Sequence, residues 1–390
     1  MIFSSYLKNE IKKNKLALAI YEFFFQRQII NYFKGKHKKR LLFSYSTYHF
    51  NKKNYNAHSN YQESLVIAKI FDDMGYQVDV VNNNKDINID ISSYDIIFGE
   101  GIPLYQALSA DSKVKKIYYG TGSHPFHCSG QSYNRLIDFY KKHSFLASSS
   151  IRVNDSRWGI AASLADAVIC IGNETTKKTF ELFGASNVYC IDPTFHLRGD
   201  ALDIGLAKEF SLSKKSILWF GSYGLLHKGL DIIIDAVRNM PEWTLHVCGY
   251  TPAEKQFLEA LDVPQNVIIH GFVNIQSEKF KEIANQCGFV ILPSCSEGTA
   301  TAIITAVGNG AMIPIVTNEC GYDVDGNGFT VQLSVSDIQH KLDEIVGYDP
   351  ILLKEISIKS QQQVIERYTL DNFKDKMAAL INELVNKELK

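Results

Sequence analysis

Short apolar runs alternate with amphipathic stretches along most of the chain, a pattern that predicts alternating strands and helices. In the first half, runs rich in β-branched residues predict strands, and apolar positions at helical spacing predict helices. The predicted strands are 41–45, 77–81, 95–98, 115–119, 167–171 and 188–191, and the predicted helices are 61–74 and 174–183. Polar residues over 48–60 and glycines and histidines over 120–130 predict two loops. Repeated βα units of this kind form a parallel, doubly wound sheet.

A second series of the same kind follows 195–215, a segment without strand signal that we interpret as a linker. Its predicted strands are 216–220, 244–247, 267–269, 289–292 and 313–316, and its predicted helices are 229–240, 252–261, 277–286 and one after Gly298. The last part of the chain, 350–390, is predicted to be largely helical. The predicted organisation is an arm (1–40), two Rossmann-like domains (41–198 and 199–350) and C-terminal helices (351–390) that return to the first domain. Two such domains bring the carboxyl ends of both sheets to one cleft, where ligands bind.

Composition narrows the class of protein. Of 390 residues 45% are hydrophobic and 21% charged, which is typical of a folded chain, and a net charge of −1 argues against a nucleic-acid partner. The seven cysteines are scattered without metal-ligand spacing, so we interpret them as free thiols in a reducing cytosol and predict no metal.

Residues 1–40 differ from the rest, with ten basic residues against two acidic ones and many aromatic residues between them. Such an arm can lie in a bilayer interface and be attracted by anionic lipid. The alternative is a helix that docks on the protein's own surface. No run reaches the roughly 18 apolar residues of a membrane span. We therefore expect a cytoplasmic protein held peripherally on the inner face of the cytoplasmic membrane through 1–40.

The segment around Glu297 carries the strongest chemical signal. The buried strand 289–292 is followed by a Pro/Ser/Glu/Gly loop and then by a helix of small apolar residues. Free backbone N–H groups at such a helix start, with the helix dipole, can bind an anion. The candidate donors are those of Gly298, Thr299, Ala300 and Thr301. Glu297 beside them could accept hydrogen bonds from hydroxyls, as a nucleotide-sugar would require; an ordinary strand-loop-helix with a solvated Glu is the alternative.

A second segment, 219–229, combines a strand, a glycine-rich loop and Lys228-Gly229 at a helix start. An ammonium there can neutralise charge on a leaving diphosphate, and glycine allows close approach of the backbone. The pair Lys-Gly is a weak signal alone, and it gains weight from the loop of Glu297 further along the chain.

Together these segments resemble the GT-B glycosyltransferases, in particular the large retaining family 4. The resemblance rests on Gly221, Lys228-Gly229, Gly271-Phe272-Val273, Pro293-Ser294, Glu297-Gly298, Gly310 and Pro314-Ile315-Val316. It extends over about 216–325 and is architectural over 41–195. Two positions depart from the family's pattern. This chain has Ser222 where the family has an Arg, and Thr305 where the family has its second Glu.

The resemblance implies transfer of a sugar, with retention, from a UDP- or GDP-linked donor that is a substrate, without a cofactor. Lys228 and the N–H groups of 298–301 would stabilise the departing diphosphate, and Glu297 would position sugar hydroxyls. The implied donor-binding residues are Gly221, Ser222, Phe272, Val273, Gly298, Thr299, Ala300 and Thr305, with Phe272 and Val273 near the nucleobase.

In the first half, the resemblance implies a histidine near the donor sugar after strand 115–119. His124 is the preferred catalytic candidate, and His127 is the second candidate, expected to contact the acceptor. The alternative is that the histidine lies in a loop and only caps the backbone. His58 is a further candidate for acceptor contact. Segment 154–157 could contact the acceptor, but an N-cap at Asp155 or Ser156 explains it equally well.

Other sequence features argue against other chemistry. Asp323-Val324-Asp325 resembles a metal-binding Asp-x-Asp but lies in a glycine-rich turn, which favours a turn role. The fragments 99–101 and 120–122 lack the third glycine of a dinucleotide fingerprint. We predict a glycosyltransferase that extends a lipid-linked bacterial surface glycan such as an O-antigen or capsule. The alternatives are a catalytically degenerate GT-B partner or scaffold, motivated by Ser222 and Thr305, and a GT-B sugar-nucleotide epimerase.

Overall fold

The computed structural model describes residues 28–50, 59–109, 113–250 and 252–387. In these ranges the chain forms two six-stranded sheets in which every paired strand runs parallel to its neighbours. The strands are β1 (Lys39–Ser44), β2 (Tyr76–Val81), β3 (Ile96–Gly99), β4 (Lys115–Gly120), β5 (Ala167–Ile171), β6 (Val188–Ile191), β7 (Ser216–Phe220), β8 (Thr244–Cys248), β9 (Val267–Gly271), β10 (Phe289–Leu292), β11 (Ile313–Val316) and β12 (Phe329–Thr330). The predicted pair of doubly wound sheets is thereby confirmed.

Helices connect the strands, as parallel pairing requires. They are α1 (Ser59–Asp73), α2 (Ile102–Ala107), α3 (Pro125–His143), α4 (Ser156–Leu164), α5 (Glu174–Leu182), α6 (Ala201–Ala207), α7 (Phe210–Ser213), α8 (Leu230–Arg238), α9 (Lys255–Ala260), α10 (Glu278–Gln286), α11 (Thr301–Gly310), α12 (Val335–Val346), α13 (Pro350–Arg367) and α14 (Leu370–Asn386). We call the part built on β1–β6 the first domain and the part built on β7–β12 the second domain.

The strand orders reverse at one point in each sheet. The first sheet runs β2-β1-β3-β4-β5-β6, and the second runs β12-β11-β10-β7-β8-β9. The chain therefore leaves in opposite directions from β1 and β3, and likewise from β7 and β10. Crevices at the carboxyl ends of strands form at such reversal points.

Each sheet is covered on both faces by apolar side chains. In the second domain, buried strands such as β10 belong to one continuous core that also takes in Phe139, Ala147 and Ile151 of the first domain. In the first domain, one face packs against α1 and α14, and the other against the small residues of α4. Helix α14 contributes Phe373 and Met377 to the first-domain core, so the predicted return of the C-terminal helix is confirmed.

Several elements differ from the prediction. The loop predicted over 120–130 ends at His124, because α3 begins at Pro125 and continues to His143. The predicted linker contains two helices, α6 and α7. The sequence also did not predict α2, α4, α12 and β12. Within the described ranges, none of the helices combines the length and the apolar character that crossing a membrane would need. The arm prediction concerns 1–40, of which residues 1–27 lie outside the described residues. The described part docks on the first domain, as the alternative for the arm has it: Ile29 pairs with β2, and Tyr32 and Phe33 pack against the core.

Candidate functional site

The loops that carry Lys228 and Glu297 lie next to each other where the strand order of the second sheet reverses. Strands β7 and β10 are hydrogen-bonded neighbours, and the loop after each leaves from the same carboxyl edge. Lys228 lies in the loop after β7, and Glu297 lies in the loop after β10. Their Nζ and Oε1 atoms are 2.8 Å apart, although 69 residues separate them in the chain.

Glu297 is the centre of a cluster of polar groups. Its Oε1 accepts from Lys228 Nζ and, at 3.1 Å, from the hydroxyl of Ser294. Its Oε2 accepts from Arg152 Nη1 at 3.2 Å. The side chains are largely buried, with 6% of Lys228, 11% of Glu297 and 31% of Arg152 exposed. One carboxylate is thus shared by two cations, one of which comes from the first domain.

The protonation states of Glu297 and Lys228 depend on each other. Burial would raise the pKa of the Glu297 carboxyl, but the Lys228 ammonium and the Arg152 guanidinium outweigh burial and hold that pKa well below its usual range. Burial lowers the pKa of Lys228, and the Glu297 carboxylate opposes this shift. Because the two groups stabilise each other's charged forms, Glu297 is an anion at neutral pH.

Close backbone packing holds the loop of Lys228 in place. Gly229 has a φ of +66°, and a Cβ added there would lie 2.1 Å from the carbonyl oxygen of Pro293, so only glycine permits this approach. The indole of Trp219 donates to the Lys228 carbonyl at 3.3 Å. Glu254, whose position gave no sequence signal, accepts from the N–H groups of Gly224 and Leu225, each at 2.9 Å.

His227, next to Lys228, connects the two domains. Its Nε2 lies 2.5 Å from the Ser296 carbonyl oxygen, which can only accept, so the proton is on Nε2. Its Nδ1 accepts from the hydroxyl of Ser132 at 2.8 Å, and Ser132 belongs to α3 of the first domain. The imidazole is fully buried, and burial lowers its pKa to about 4. His227 is therefore neutral and serves as a spacer between the domains.

The cation from the first domain is held by its own backbone. The N–H of Arg152 donates to Ser132 Oγ at 3.2 Å, and the carbonyl of Ile151 accepts from the Tyr223 hydroxyl at 2.8 Å. The carbonyl of Ser150 accepts from two N–H groups of the second domain, at 3.0 and 3.1 Å. Sequence reasoning missed Arg152, because no motif surrounds it and its partner Glu297 is 145 residues away.

The helix start after Gly298 differs from the expectation in one respect. Helix α11 begins at Thr301 with Ala300 as its N-cap, and the Ala300 N–H donates to the Cys320 carbonyl at 2.9 Å. Ala300 therefore cannot offer its N–H to an anion. Gly298 lies against the first domain, since an added Cβ would be 2.4 Å from the Ile171 carbonyl oxygen. Thr299 is buried between these two contacts.

The other donor-binding candidates spread along the carboxyl edge of the second sheet. Gly221 packs on the Trp219 ring, and Ser222 beside it is exposed. At the end of β9, the Phe272 side chain is 85% exposed while Val273 is buried. Thr305 is half-buried in the second turn of α11.

His124 occupies the capping role that the sequence left as the alternative. Its Nδ1 accepts from the Phe126 N–H at 3.2 Å at the start of α3, and its Nε2 lies 3.1 Å from Ser163 Oγ. The ring is fully buried and stacks on Phe183 at 4.7 Å. Burial lowers its pKa to about 4, so the neutral imidazole of His124 caps α3 in this structure.

His127 is the second histidine candidate of this segment. It lies one residue past Phe126 on the first turn of α3 and is half-buried. Burial lowers its pKa, and the Glu319 carboxylate of the second domain opposes this shift. The other acceptor candidate, His58, lies outside the described residues.

Two remaining sequence candidates have structural partners. Asp155 caps α4 by accepting from the Arg157 N–H at 2.9 Å, which is the capping alternative. Asp323 accepts from Asn173 of the first domain at 2.6 Å, and Asp325 accepts from Gln363 at 2.6 Å. These contacts give both aspartates a role in packing the turn.

Comparisons with known proteins agree with this architecture. Residues 214–346 match the family described as glycosyl transferases group 1. No curated protein sequence matches the chain. Among solved structures, sucrose-phosphate synthase from Thermosynechococcus elongatus superposes with a TM-score of 0.60 at 12% identity, covering 89% of this chain and 99% of that protein.

Two further solved structures are similar. Anabaena HepE, crystallised with UDP-glucose, gives a TM-score of 0.57 at 14% identity over 89% of this chain and all of HepE. TarM of S. aureus gives 0.51 at 13% identity over 77% of this chain, and this chain spans 56% of TarM. At such identities the likeness shows the fold. The chain is therefore a protein of the GT-B fold whose second domain matches the glycosyl transferases group 1 family.

Proposed function

We propose that the protein is a retaining glycosyltransferase that moves a sugar from a nucleotide-sugar to a glycan acceptor. The observation that carries the proposal is the meeting of Lys228 and Glu297 at the strand-order reversal, 2.8 Å apart beside the start of α11. A cation next to a helix N-terminus stabilises a developing phosphate charge, and a carboxylate beside it accepts from sugar hydroxyls. The family match over 214–346 supports the same assignment.

The proposed step replaces one bond at the anomeric carbon by another on the same face. The bond from that carbon to the donor diphosphate breaks as the bond to an acceptor oxygen forms, and the acceptor proton passes to the leaving phosphate. Lys228 stabilises the negative charge that grows on the diphosphate. Glu297 positions the hydroxyls of the transferred sugar. This scheme uses no general base from the protein and no metal.

HepE, a protein of the same fold, was crystallised with UDP-glucose, which supports a UDP-linked hexose as the first donor to test. For the acceptor, we propose a lipid-linked glycan of a bacterial surface polysaccharide such as an O-antigen or capsule. The basic and aromatic composition of 1–40 supports this choice, because such an arm suits an anionic membrane surface. Deleting 1–27, which keeps Ile29, Tyr32 and Phe33 on the first-domain core, is expected to move the protein from the membrane pellet to the supernatant. Unchanged partitioning would contradict the membrane part.

The test of the activity is nucleoside diphosphate release from a panel of UDP-, GDP- and dTDP-sugars, with NMR of the product's anomeric configuration. Lys228→Ala and Glu297→Gln are each expected to lower kcat by about 100-fold or more, as for lost transition-state contacts. Lys142→Ala, which removes an exposed ammonium from an ion pair between the domains, is the control. Turnover of both variants equal to wild type would overturn the site, and inversion would overturn the stereochemistry.

A second candidate function is a non-catalytic GT-B partner of an active transferase. Two observations favour it: Ser222 and Thr305 carry no charge where the resembling family has Arg and Glu, and the Ala300 N–H is already bonded. Calorimetric titration with UDP, GDP, CMP and dTDP separates the two functions. Binding of any of them supports the enzyme, whereas silence towards all four favours the partner role.

A further inference from the structure

We propose that Arg152, contributed by the first domain, is a second cation for the donor diphosphate, so that donor binding requires the two domains to be closed on each other. The proposal rests on the proposed function, because it names a further residue of the same donor site. Its observation is the 3.2 Å contact between Arg152 Nη1 and Glu297 Oε2, directly beside the contact of Lys228.

The charge balance of the cluster is the first argument. Lys228 and Arg152 share the single carboxylate of Glu297, so the cluster carries one positive charge in excess. His227 adjoins the cluster and is neutral, as its hydrogen bond to the Ser296 carbonyl requires only the Nε2 proton. Charges away from water are costly unless they are paired. A bound diphosphate would supply the missing anion.

The position of the guanidinium is the second argument. Arg152 Nη2 donates to the Tyr223 carbonyl at 3.1 Å, and its Nε lies 3.0 Å from where a Cβ on Gly224 would be. The guanidinium therefore rests on the loop after β7, against Tyr223 and Gly224. With 31% of its side chain exposed, Arg152 is the most accessible of the three charged groups. A guanidinium has five N–H donors in a planar fork, which suits phosphate oxygens.

The anchoring of Arg152 is the third argument, because it links the cation to domain closure. A continuous path of hydrogen bonds runs from the Arg152 N–H to Ser132 Oγ, from that hydroxyl to His227 Nδ1, and from His227 Nε2 to the Ser296 carbonyl. Ser296 directly precedes Glu297. Separating the two domains would therefore break this path of hydrogen bonds and, at the same time, move the guanidinium away from Glu297.

A purely structural role would give the same resting contacts, since Arg152 could serve only to hold Glu297. The two roles differ in what happens when Glu297 is neutral. If Arg152 contacts phosphate, replacing it still weakens diphosphate binding after Glu297→Gln. If Arg152 acts only through Glu297, its replacement has no further effect in that background. The double-variant comparison therefore distinguishes them.

The experiment is calorimetric titration of wild type, Arg152→Gln, Arg152→Lys, Glu297→Gln and the double variant R152Q/E297Q with UDP, GDP and dTDP and with the parent nucleosides. Arg152→Gln is expected to weaken nucleoside diphosphate binding about 10- to 100-fold, as for a lost charge-assisted hydrogen bond, and to leave nucleoside binding unchanged. Arg152→Lys is expected to recover part of the loss, and the same loss is expected between E297Q and R152Q/E297Q.

Arg135→Gln is the matched control, because Arg135 also pairs across the domains, with Asp231 on α8, and has no contact with Glu297. Its diphosphate affinity is expected to stay within about threefold of wild type, and thermal unfolding without nucleotide verifies that every variant is folded. If wild type binds a diphosphate and Arg152→Gln binds it equally well, the role of Arg152 is overturned and the proposed function stands. If wild type binds none of the diphosphates, both are overturned.

Discussion

At the carboxyl edge of the second sheet Glu297 lies between an ammonium and a guanidinium, whereas Glu100 at the same edge of the first sheet has neither. Glu100 follows β3, and its Oε1 accepts from Asn83 Nδ2 at 2.9 Å. Burial raises the pKa of Glu100 to about 8, against the small opposing effect of that hydrogen bond. Glu63 of α1 is similar: burial raises its pKa to about 7 against two hydrogen bonds from Thr194.

The difference shows how one architecture builds two kinds of edge. Both sheets reverse their strand order and both place a buried glutamate at the reversal or near it. In the second domain the cations keep the glutamate charged and leave a positive excess. In the first domain, the described residues include no ion-pair partner for Glu63 or Glu100, so near neutral pH Glu100 is largely protonated and Glu63 is protonated in about half of the molecules. The second edge suits an anion, and the first suits uncharged hydroxyls.

The largest expected effect comes from removing the buried ammonium. Lys228→Met leaves Glu297, 11% exposed, with Arg152 and the Ser294 hydroxyl alone, and breaking a buried ion pair costs about 3–5 kcal/mol. The measurement is urea unfolding followed by tryptophan fluorescence. The double variant K228M/E297Q is expected to recover part of the loss, because it removes the unpaired carboxylate.

Lys142→Met is the control for this prediction. Lys142 pairs with Asp235 across the domains, but its side chain is 57% exposed, so the expected cost is below about 1 kcal/mol. Equal destabilisation by Lys228→Met and Lys142→Met would mean that the cluster around Glu297 is as well solvated as the surface, and the contrast between the two edges would disappear.

Much of the fold could be predicted from sequence, because buried parallel strands are short apolar runs. The predicted strands 289–292 and 313–316 coincide with β10 and β11. Helix α3 was missed although a signal was present: Pro125 stands at its first turn, a position that proline favours, but glycines and histidines around it indicated a loop. Helices α6 and α7 were missed because they are short.

The residues of the candidate site, like the elements of the fold, were only partly predictable from the sequence. Lys228 and Glu297 could be found because each lies in a local motif, and strand order then brings the motifs together. Arg152 could not be found, because it is one of 41 lysines and arginines and its role depends on how the two domains pack. His124 and His127 are three residues apart in one loop-like segment, and only the fold reveals that His124 is buried as a cap.

A smaller effect is expected from Glu100→Gln, and it depends on pH. The folded-state pKa of Glu100, about 8, lies above its ordinary value of 4.5, so the folded state holds a proton that the unfolded state releases. This stabilisation is complete below about 4.5 and is lost as the pH rises towards 8. The glutamine stays neutral and keeps the oxygen that accepts from Asn83. The variant is expected to be more stable than wild type at pH 8.5, by at least about 1.4 kcal/mol, the equivalent of one pKa unit.

The measurement is the urea midpoint of Glu100→Gln and wild type between pH 5 and 8.5. The exposed Glu366, changed to Gln, is the control and should follow the wild-type curve. Parallel curves for Glu100→Gln and wild type would show that Glu100 is already charged at neutral pH, which would remove the difference between the two edges.

The smallest expected effect tests His124, the histidine at the first edge. Because its Nδ1 caps α3, His124→Ala is expected to cost about 1–2 kcal/mol, and His124→Asn, which can accept from the Phe126 N–H, is expected to cost less. Thermal unfolding measures this difference. The same variants separate capping from chemistry: loss of a general acid or base lowers the rate about 100-fold or more, whereas a folded cap variant should keep kcat within a few fold. A large fall in kcat for a stably folded His124→Asn would restore His124 to the chemistry and give the first edge a catalytic role.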